Sequence, residues 1–467
     1  MKYTFNKGTI GFSVLSVLIS AGAYSQGLTK KPNILIIMTD QLSAESTSFN
    51  LGSKYLKTPN IDYLAEHGVS FNNAYCANPL CVPSRSSMFT GRYPHELGIQ
   101  TNEEKLLDPL EFPSLGTIFK NAGYETGYVG KWHLPYDRNQ AESHGFSFLP
   151  DKKGNGTDSI SPDQANKFFK MKHQNPFFLV VSFMNPHNIC QWPRNQKLPD
   201  GAIGDAPPAD QCPPLRANAN PSKNETDIMK LMRTSVQNSK MFPVGDFSDE
   251  KWRQYIWAYY RMIEKVDSEI GRVLQSLRES GLDKNTMIVF LSDHGDCQGA
   301  HRWNQKTVFY EEASKVPFIF SYPGMKSRKS DYLVQTGVDL MPTLCEFAGI
   351  PMPENNRGIG LKQLITGKTV PAVRQSIVVS DHLTQGEAVN GQKTEPEGRM
   401  LRNDRFKYWV YNEGEQRETL YDLQNDPGEM VNLANDPKYE AELKNCRKEL
   451  IDWANKNNDP YLKFTIK

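Results

Sequence analysis

Cys81-Val-Pro-Ser-Arg85 places a thiol four residues ahead of a guanidinium. Four residues span about one helical turn, so the two groups would share a face. A helix starting at the thiol would offer free N–H groups and the positive end of its dipole, a setting that favours an anion. Arg85 would then clamp the same anion or hold a nucleophile. A buried structural cysteine beside a surface arginine fits the same pentapeptide, so by itself it leaves both readings open. Three further polar clusters follow short apolar runs: Thr39-Asp40-Gln41, Asn185-Pro186-His187 and Ser292-Asp293-His294-Gly295-Asp296.

The runs before those clusters are Asn33–Met38, Phe177–Phe183 and Met287–Leu291, and Val316–Phe320 is a fourth. Each reads as a buried parallel strand. A helical pattern runs from about Asp249 to Ser280. Trp252, Tyr255, Tyr259, Met262, Val266, Ile270, Val273 and Leu277 share one face, Ser248 is its N-cap and Gly281 its stop. Strands alternating with helices predict an α/β fold, a large mostly parallel sheet sandwiched by helices. In such sheets ligands bind beyond the carboxyl ends of the strands, so Asp40, His187 and Asp293 are expected to converge.

The C-terminal part differs. Ser376–Ser380, Phe406–Tyr411 and Thr419–Asp422 are strand-like without long helices between them, and Glu440 to about Asn455 is helical. A smaller antiparallel sheet plus helix is predicted from residue 372. Residues 185–250 read as a long irregular insertion that shapes a cleft. Residues 1–25 read as a signal peptide, with Lys2 and Lys7 ahead of a short apolar core and Ala23-Tyr-Ser25 at the cleavage point. The expected organisation is therefore 1–25, a catalytic part 26–371 and a C-terminal part 372–467.

The 467 residues hold 54 Lys+Arg and 53 Asp+Glu, a net charge of +1, which excludes the basic footprint of a general nucleic-acid binder. A mean hydropathy of −0.58 excludes a polytopic membrane protein. Seven cysteines without a CxxC pair exclude a disulfide scaffold and a zinc ribbon. Cys190 and Cys212 flank a Pro-rich loop and could pair or stay free.

Cys81-Val-Pro-Ser-Arg85 with Thr90-Gly-Arg92 resembles the signature of the formylglycine-dependent sulfatases. Further elements stand in the family order: Asp40, Gly127–His133, Pro186-His187, Ser292–Asp296, Lys306–Glu312 and Leu420–Pro427. The resemblance covers most of the chain and implies the alkaline-phosphatase-like fold. It also implies that a separate maturation enzyme oxidises Cys81 to formylglycine. A hydrated aldehyde carries two hydroxyls on one carbon: one attacks sulfur, and the other lets sulfate depart as the aldehyde reforms.

The resemblance further implies a divalent cation, Ca2+ or another, held by Asp40, Gln41, the Cys81-derived oxygen, Asp293 and His294. Gln41 and His294 depart from the family's usual Asp and Asn; an amide oxygen still suits a hard ion, whereas an imidazole nitrogen suits calcium less well. Arg85 supports the nucleophile. Lys131 binds a sulfate oxygen or the nucleophile, His133 is the base, and His187 and Lys306 flank the leaving oxygen, one of them as acid. His301, Arg302, His382, Arg399 and Arg402 are expected along the substrate cleft.

The expected function is hydrolysis of a sulfate ester on a glycan or glycosaminoglycan fragment, with an aryl or choline sulfate as the second substrate class. The expected compartment is the periplasm, with neither a nucleic-acid partner nor stable membrane insertion after cleavage. The rival readings are a phosphonate or phosphodiester hydrolase of the same superfamily, and a non-catalytic protein that binds sulfated glycans should Cys81 stay unconverted.

Overall fold

All eight side chains of β1 (Asn33–Asp40) are buried. A strand apolar on both sides fits only the middle of a sheet covered on both faces. In the computed structural model, which describes Met1, Thr4 and residues 31–103, 105–150, 158–368 and 374–460, β1 lies between two parallel neighbours, β4 (Phe177–Pro186) and β5 (Thr286–Ser292). β3 (Glu125–Gly130) adds in parallel beyond β4. On the other side β6 (Phe318–Ser321) runs antiparallel between β5 and β2 (Gly68–Tyr75), and β7 (Arg328–Gln335) pairs in parallel with β2. The order is β3-β4-β1-β5-β6-β2-β7.

Alternation along β1 splits the core in two. Leu35 and Ile37 join Val181, Phe290 and the long helix Asp249–Glu279 on one face. Ile34, Ile36 and Met38 join Met88, Phe89 and the helix Thr336–Ala348 on the other. The long helix begins as the sequence predicts, with the Ser248 hydroxyl accepting from the Lys251 N–H. Gly281 follows it at φ 71°, a conformation glycine adopts without steric cost.

The second sheet is antiparallel, in the order β11 (Glu418–Asp422), β10 (Phe406–Tyr411), β9 (Glu397–Asn403) and β8 (Ser376–His382). Val378, Leu401, Tyr408 and Leu420 pack on Leu443, Cys446 and Leu450 of the helix Glu440–Asn457. Ile377, Val379, Met400, Trp409 and Tyr411 pack instead on Phe309, Tyr310 and Leu333. Both sheets thus share one core within the compact unit Pro32–Lys467.

Two expectations need correction. The run at 316–320 forms an antiparallel strand, because β6 reverses direction between two mutually parallel neighbours. The 185–250 stretch contains a regular helix, Asp227–Gln237, whose Thr226 hydroxyl accepts from Met229 N–H. All seven cysteines are buried and unpaired, so Cys190 and Cys212 are not bridged. The expected leader 1–25 and the expected boundary at 371/372 lie outside the described residues.

Candidate active site

Four adjacent parallel strands end on one edge of the large sheet, and each delivers a polar group there. β1 closes on Asp40. β5 hands on to Asp293 and His294, β4 to His187 and β3 to Lys131. Register keeps them level: Asp40 pairs with Pro186, Thr39 with Ser292 and Gly130 with Ser182. The fifth contribution comes from the helix Cys81–Thr90, whose first residue is the thiol itself.

Arg85 fastens that helix to the strand ends. Its Nε donates to Asp293 Oδ2 at 2.7 Å, Nη2 to Asp40 Oδ2 at 3.1 Å and Nη1 to the Ser182 hydroxyl at 2.9 Å. Arg85, Asp40 and Asp293 have no exposed surface. A buried guanidinium persists only when its donors meet acceptors, and here two carboxylates supply them. Arg85 therefore holds the site from beneath.

Cys81 Sγ lies 3.2 Å from Lys306 Nζ, 3.3 Å from His294 Nε2, 3.7 Å from Asp40 Oδ1 and 3.9 Å from Lys131 Nζ. Burial alone would push this thiol up, but Lys131, Lys306 and His294 pull it well below its ordinary range. Asp40 feels the same contest. Burial and the Cys81 charge raise it, while Lys131, His187 and Arg85 lower it further, so it stays ionised. Lys131 Nζ also donates directly to Asp40 Oδ2. Asp293 moves the other way, raised by burial and by the charge on Asp40.

Asp40, Cys81, Asp293 and His294 form a buried donor group with ligand atoms within 4.8 Å of one another. His294 Nδ1 faces the Gly295 carbonyl at 2.9 Å, and a carbonyl only accepts. The proton is therefore on Nδ1 in the neutral ring, and the Nε2 lone pair faces the carboxylates at 3.7 Å. Gln41 stands beside this group. Its amide nitrogen donates to Asp296 at 2.7 Å, and its oxygen accepts from Lys306 at 2.9 Å. His133 and Gln41 both hold left-handed backbone, φ 42° and 72°, as strained residues at sites often do.

His133 and His187 complete the ring around the sulfur. His133 is lowered by burial and Lys131, against the pull of its hydrogen bond with Cys81. His187 is pushed down to about 4 by burial, Lys306 and Lys131. It is neutral in the free protein at neutral pH. A histidine held neutral in the fold and at about 6.5 in the unfolded chain makes the unfolded chain bind more protons between those values. Stability should therefore fall as pH drops from 6.5 towards 4, and His187→Asn should flatten that slope. Urea midpoints measured at pH 7 and pH 5 for both proteins check this.

The five residues expected along the cleft are not brought to Cys81. His301 is fully buried and stacks on Tyr310 with ring centroids 3.7 Å apart. Arg302 pairs with Asp249 at 2.7 Å, and Arg399 with Asp459 at 2.7 Å. Arg402 Nε donates to the Tyr75 hydroxyl at 3.1 Å, and His382 lies half-buried against Glu397 at 3.5 Å. The three arginines and His382 are taken up locally, mostly by an acid, because a charge withdrawn from water needs such compensation.

Several groups escape a reading of the sequence. Ser182 is a lone polar residue inside an apolar run, which is a signal, and it accepts from Arg85. Asn102 Oδ1 accepts from the Val82 N–H at 3.0 Å in the first turn of the Cys81 helix, and nothing around it in sequence marks it. A cavity of about 650 Å³ opens beside this turn, lined by Val82, Asn102, Lys105, Trp132, His133 and Tyr136.

Known proteins resemble this chain over most of its length. Residues 32–350 match the sulfatase family, and residues 299–456 match the family described as N-sulphoglucosamine sulphohydrolase, C-terminal. The chain is 32% identical over 463 residues to a delta 4,5-hexuronate-2-O-sulfatase of Bacteroides thetaiotaomicron, covering 96% of this chain and 93% of that one. It is 29% identical over 508 residues to an N-acetylglucosamine-6-O-sulfatase of the same species, covering 94% and 89%. The solved structure of a 2-O glycosaminoglycan sulfatase matches with a TM-score of 0.79 at 30% identity, over 94% of this chain and 95% of that one. The chain belongs to the sulfatase family and is a sulfuric ester hydrolase.

Proposed function

We propose that the chain removes an O-sulfate from a glycan or glycosaminoglycan fragment, using formylglycine derived from Cys81 and a divalent cation. The observation that carries this reading is the sulfur at the first residue of a buried helix, ringed by Lys306, His294, Asp40 and Lys131 within 3.9 Å. Relatives named for sulfated hexuronate and sulfated N-acetylglucosamine support a carbohydrate substrate.

The donors fit a cation. Two carboxylates and an imidazole nitrogen converge, and Asp293 is raised by burial and by its like-charged neighbour, a repulsion that a cation relieves. Asp40, Asp293, His294 and the Cys81-derived oxygen would hold the ion, with the Gln41 amide oxygen alongside; the carboxylates favour a hard ion such as Ca2+. Such an ion supplies charge neutralisation for the sulfate and lowers the pKa of an oxygen bound to it.

The chain's own residues do the rest. Lys131 and Lys306 hold sulfate oxygens through their ammonium groups. His133 would accept the proton of the hydrate's second hydroxyl, the one that does not attack sulfur. Lys306 is raised by Cys81 in the unconverted protein and, against burial, also by Asp40 and Asp293, which remain after conversion and make it a poor donor. An arriving sulfate anion offsets the two lysines that depress His187, lifting that ring towards the working range of an acid. His187 therefore delivers the proton to the leaving sugar oxygen.

Among the described residues no helix is long and apolar enough to cross a membrane. Export to the periplasm, cleavage near residue 25 and conversion of Cys81 by a maturation enzyme complete the proposal.

The test is sulfate release from a panel of sulfated disaccharides by matured protein, read by ion chromatography. Chelation should lower the rate by at least about tenfold, and added Ca2+ should restore it. Hydrolysis of a phosphonate or phosphate diester faster than every sulfate ester would overturn the reading.

A further inference from the structure

A second buried donor group stands where the segment after His294 meets the small sheet. A ring nitrogen of His301 and one carboxylate oxygen from each of Glu312 and Glu429 lie within 4.8 Å of one another. His301 and Glu429 have no exposed surface, and Glu312 has 6%. His301 Nδ1 and Glu312 Oε2 are buried without a hydrogen bond. A buried polar atom left unpaired costs about 1–3 kcal/mol, so two in one place ask for a partner.

The cations around this group are shared between acids. Lys407 Nζ is divided between Glu311 at 2.9 Å and Glu429 at 2.8 Å. Arg216 is divided between Glu312 at 3.2 Å and Glu45 at 2.6 Å. The buried carboxylates Glu312 and Glu429 thus each share their cation with a more exposed acid, Glu45 or Glu311, and Lys315 reaches Glu311 at 3.5 Å. Burial pushes the Glu429 carboxyl up, Lys407 pulls it down, and Glu311 and Glu312 push it up again. His301 is driven down to about 3 by burial, Lys407, Arg216 and Arg233, so its ring is neutral and keeps a lone pair. Positive φ at Gln298, His301 and Arg302 (50°, 51° and 61°) shapes the loop that carries this ring.

We propose that His301, Glu312 and Glu429 hold a divalent transition metal, with zinc the ion best suited to one neutral imidazole and two carboxylates. Ligands at about 2.0–2.2 Å from one ion stand about 3–4 Å apart, so the group needs to close little, if at all, on binding. The site is structural, being closed to solvent. It clasps the loop behind Asp293 and His294 to the segment after β11, and so ties the small sheet to the catalytic edge. It is independent of the cation proposed at Cys81.

Protein stripped by chelation and titrated with Zn2+ at pH 7 tests this, read by native mass spectrometry and by thermal unfolding. The expected result is a zinc equivalent that survives Asp293→Asn, raises the melting temperature, and weakens at least about tenfold in both His301→Gln and Glu429→Gln. If Glu429→Gln does not fold, His301→Gln decides. Zinc uptake that Asp293→Asn abolishes, or that His301→Gln leaves unchanged, overturns the proposal. So does a protein that takes up no zinc and loses stability as Glu429 ionises, for then a proton and not a metal holds that carboxyl.

Discussion

Cys81→Ala protein should fold as well as the parent and release no measurable sulfate, a loss of at least about a thousandfold in kcat. The side chain is buried at the start of a helix, and the change removes only its sulfur. Alanine is a good helix former, so the helix Cys81–Thr90 keeps its geometry. What disappears is the atom towards which Lys306, His294, Asp40 and Lys131 are aimed. The lost thiol also relieves the upward push on Asp40 and removes the charge that holds Lys306 protonated. The melting temperature should therefore move by no more than a few degrees. Sulfate release and thermal unfolding on one preparation read both halves, and turnover within tenfold of the parent would refute Cys81 as the nucleophile's source.

Arg85→Leu should be the most damaging single change to folding, costing about 3–5 kcal/mol. The guanidinium lies 2.7 Å from Asp293 and 3.1 Å from Asp40, and all three side chains are buried. Leucine fills much of the volume but leaves two like-charged carboxylates facing each other, with Lys131 Nζ on Asp40 as the nearest cation. Asp293, already raised, would take up a proton. Arg85→Lys should recover part of the loss, because an ammonium restores charge but cannot span Asp293, Asp40 and Ser182 together. Urea unfolding of the three proteins orders them parent, Lys, Leu; equal midpoints would show that the ion pairs contribute nothing.

Much of this architecture is visible in the chain because burial leaves a pattern. β1, β4 and β5 are central strands and read as nearly continuous apolar runs, and a polar residue at or just after the end of each is delivered to the sheet edge. β2, β3 and β7 carry Asn, Ser, Thr and Gly and lack that pattern, since partner strands rather than composition define them. The direction of β6 has no local signature either, because reversal is a property of topology. The Cys81 cluster is legible because its residues sit directly after strands or inside a dense motif. Arg302, Arg399 and Arg402 show the opposite case: Asp249, Asp459 and Tyr75, which engage them, lie tens to hundreds of residues away, and nothing local announces the pairing.

The complete burial of Cys81 fixes an order of events in the life of the molecule. Strands β1 and β5, the Lys306 loop and the cysteine's own helix enclose the sulfur. A modifying enzyme can grip residues 81–85 only while they are loose chain, before the sheet closes over them. The proposed conversion would then be a decision made once, before folding. Molecules that folded with the thiol intact would then be locked in that form, and a purified batch would be a fixed mixture of two species. Its specific activity would record how well synthesis, modification and folding were synchronised, and later exposure to the modifying enzyme would not raise it.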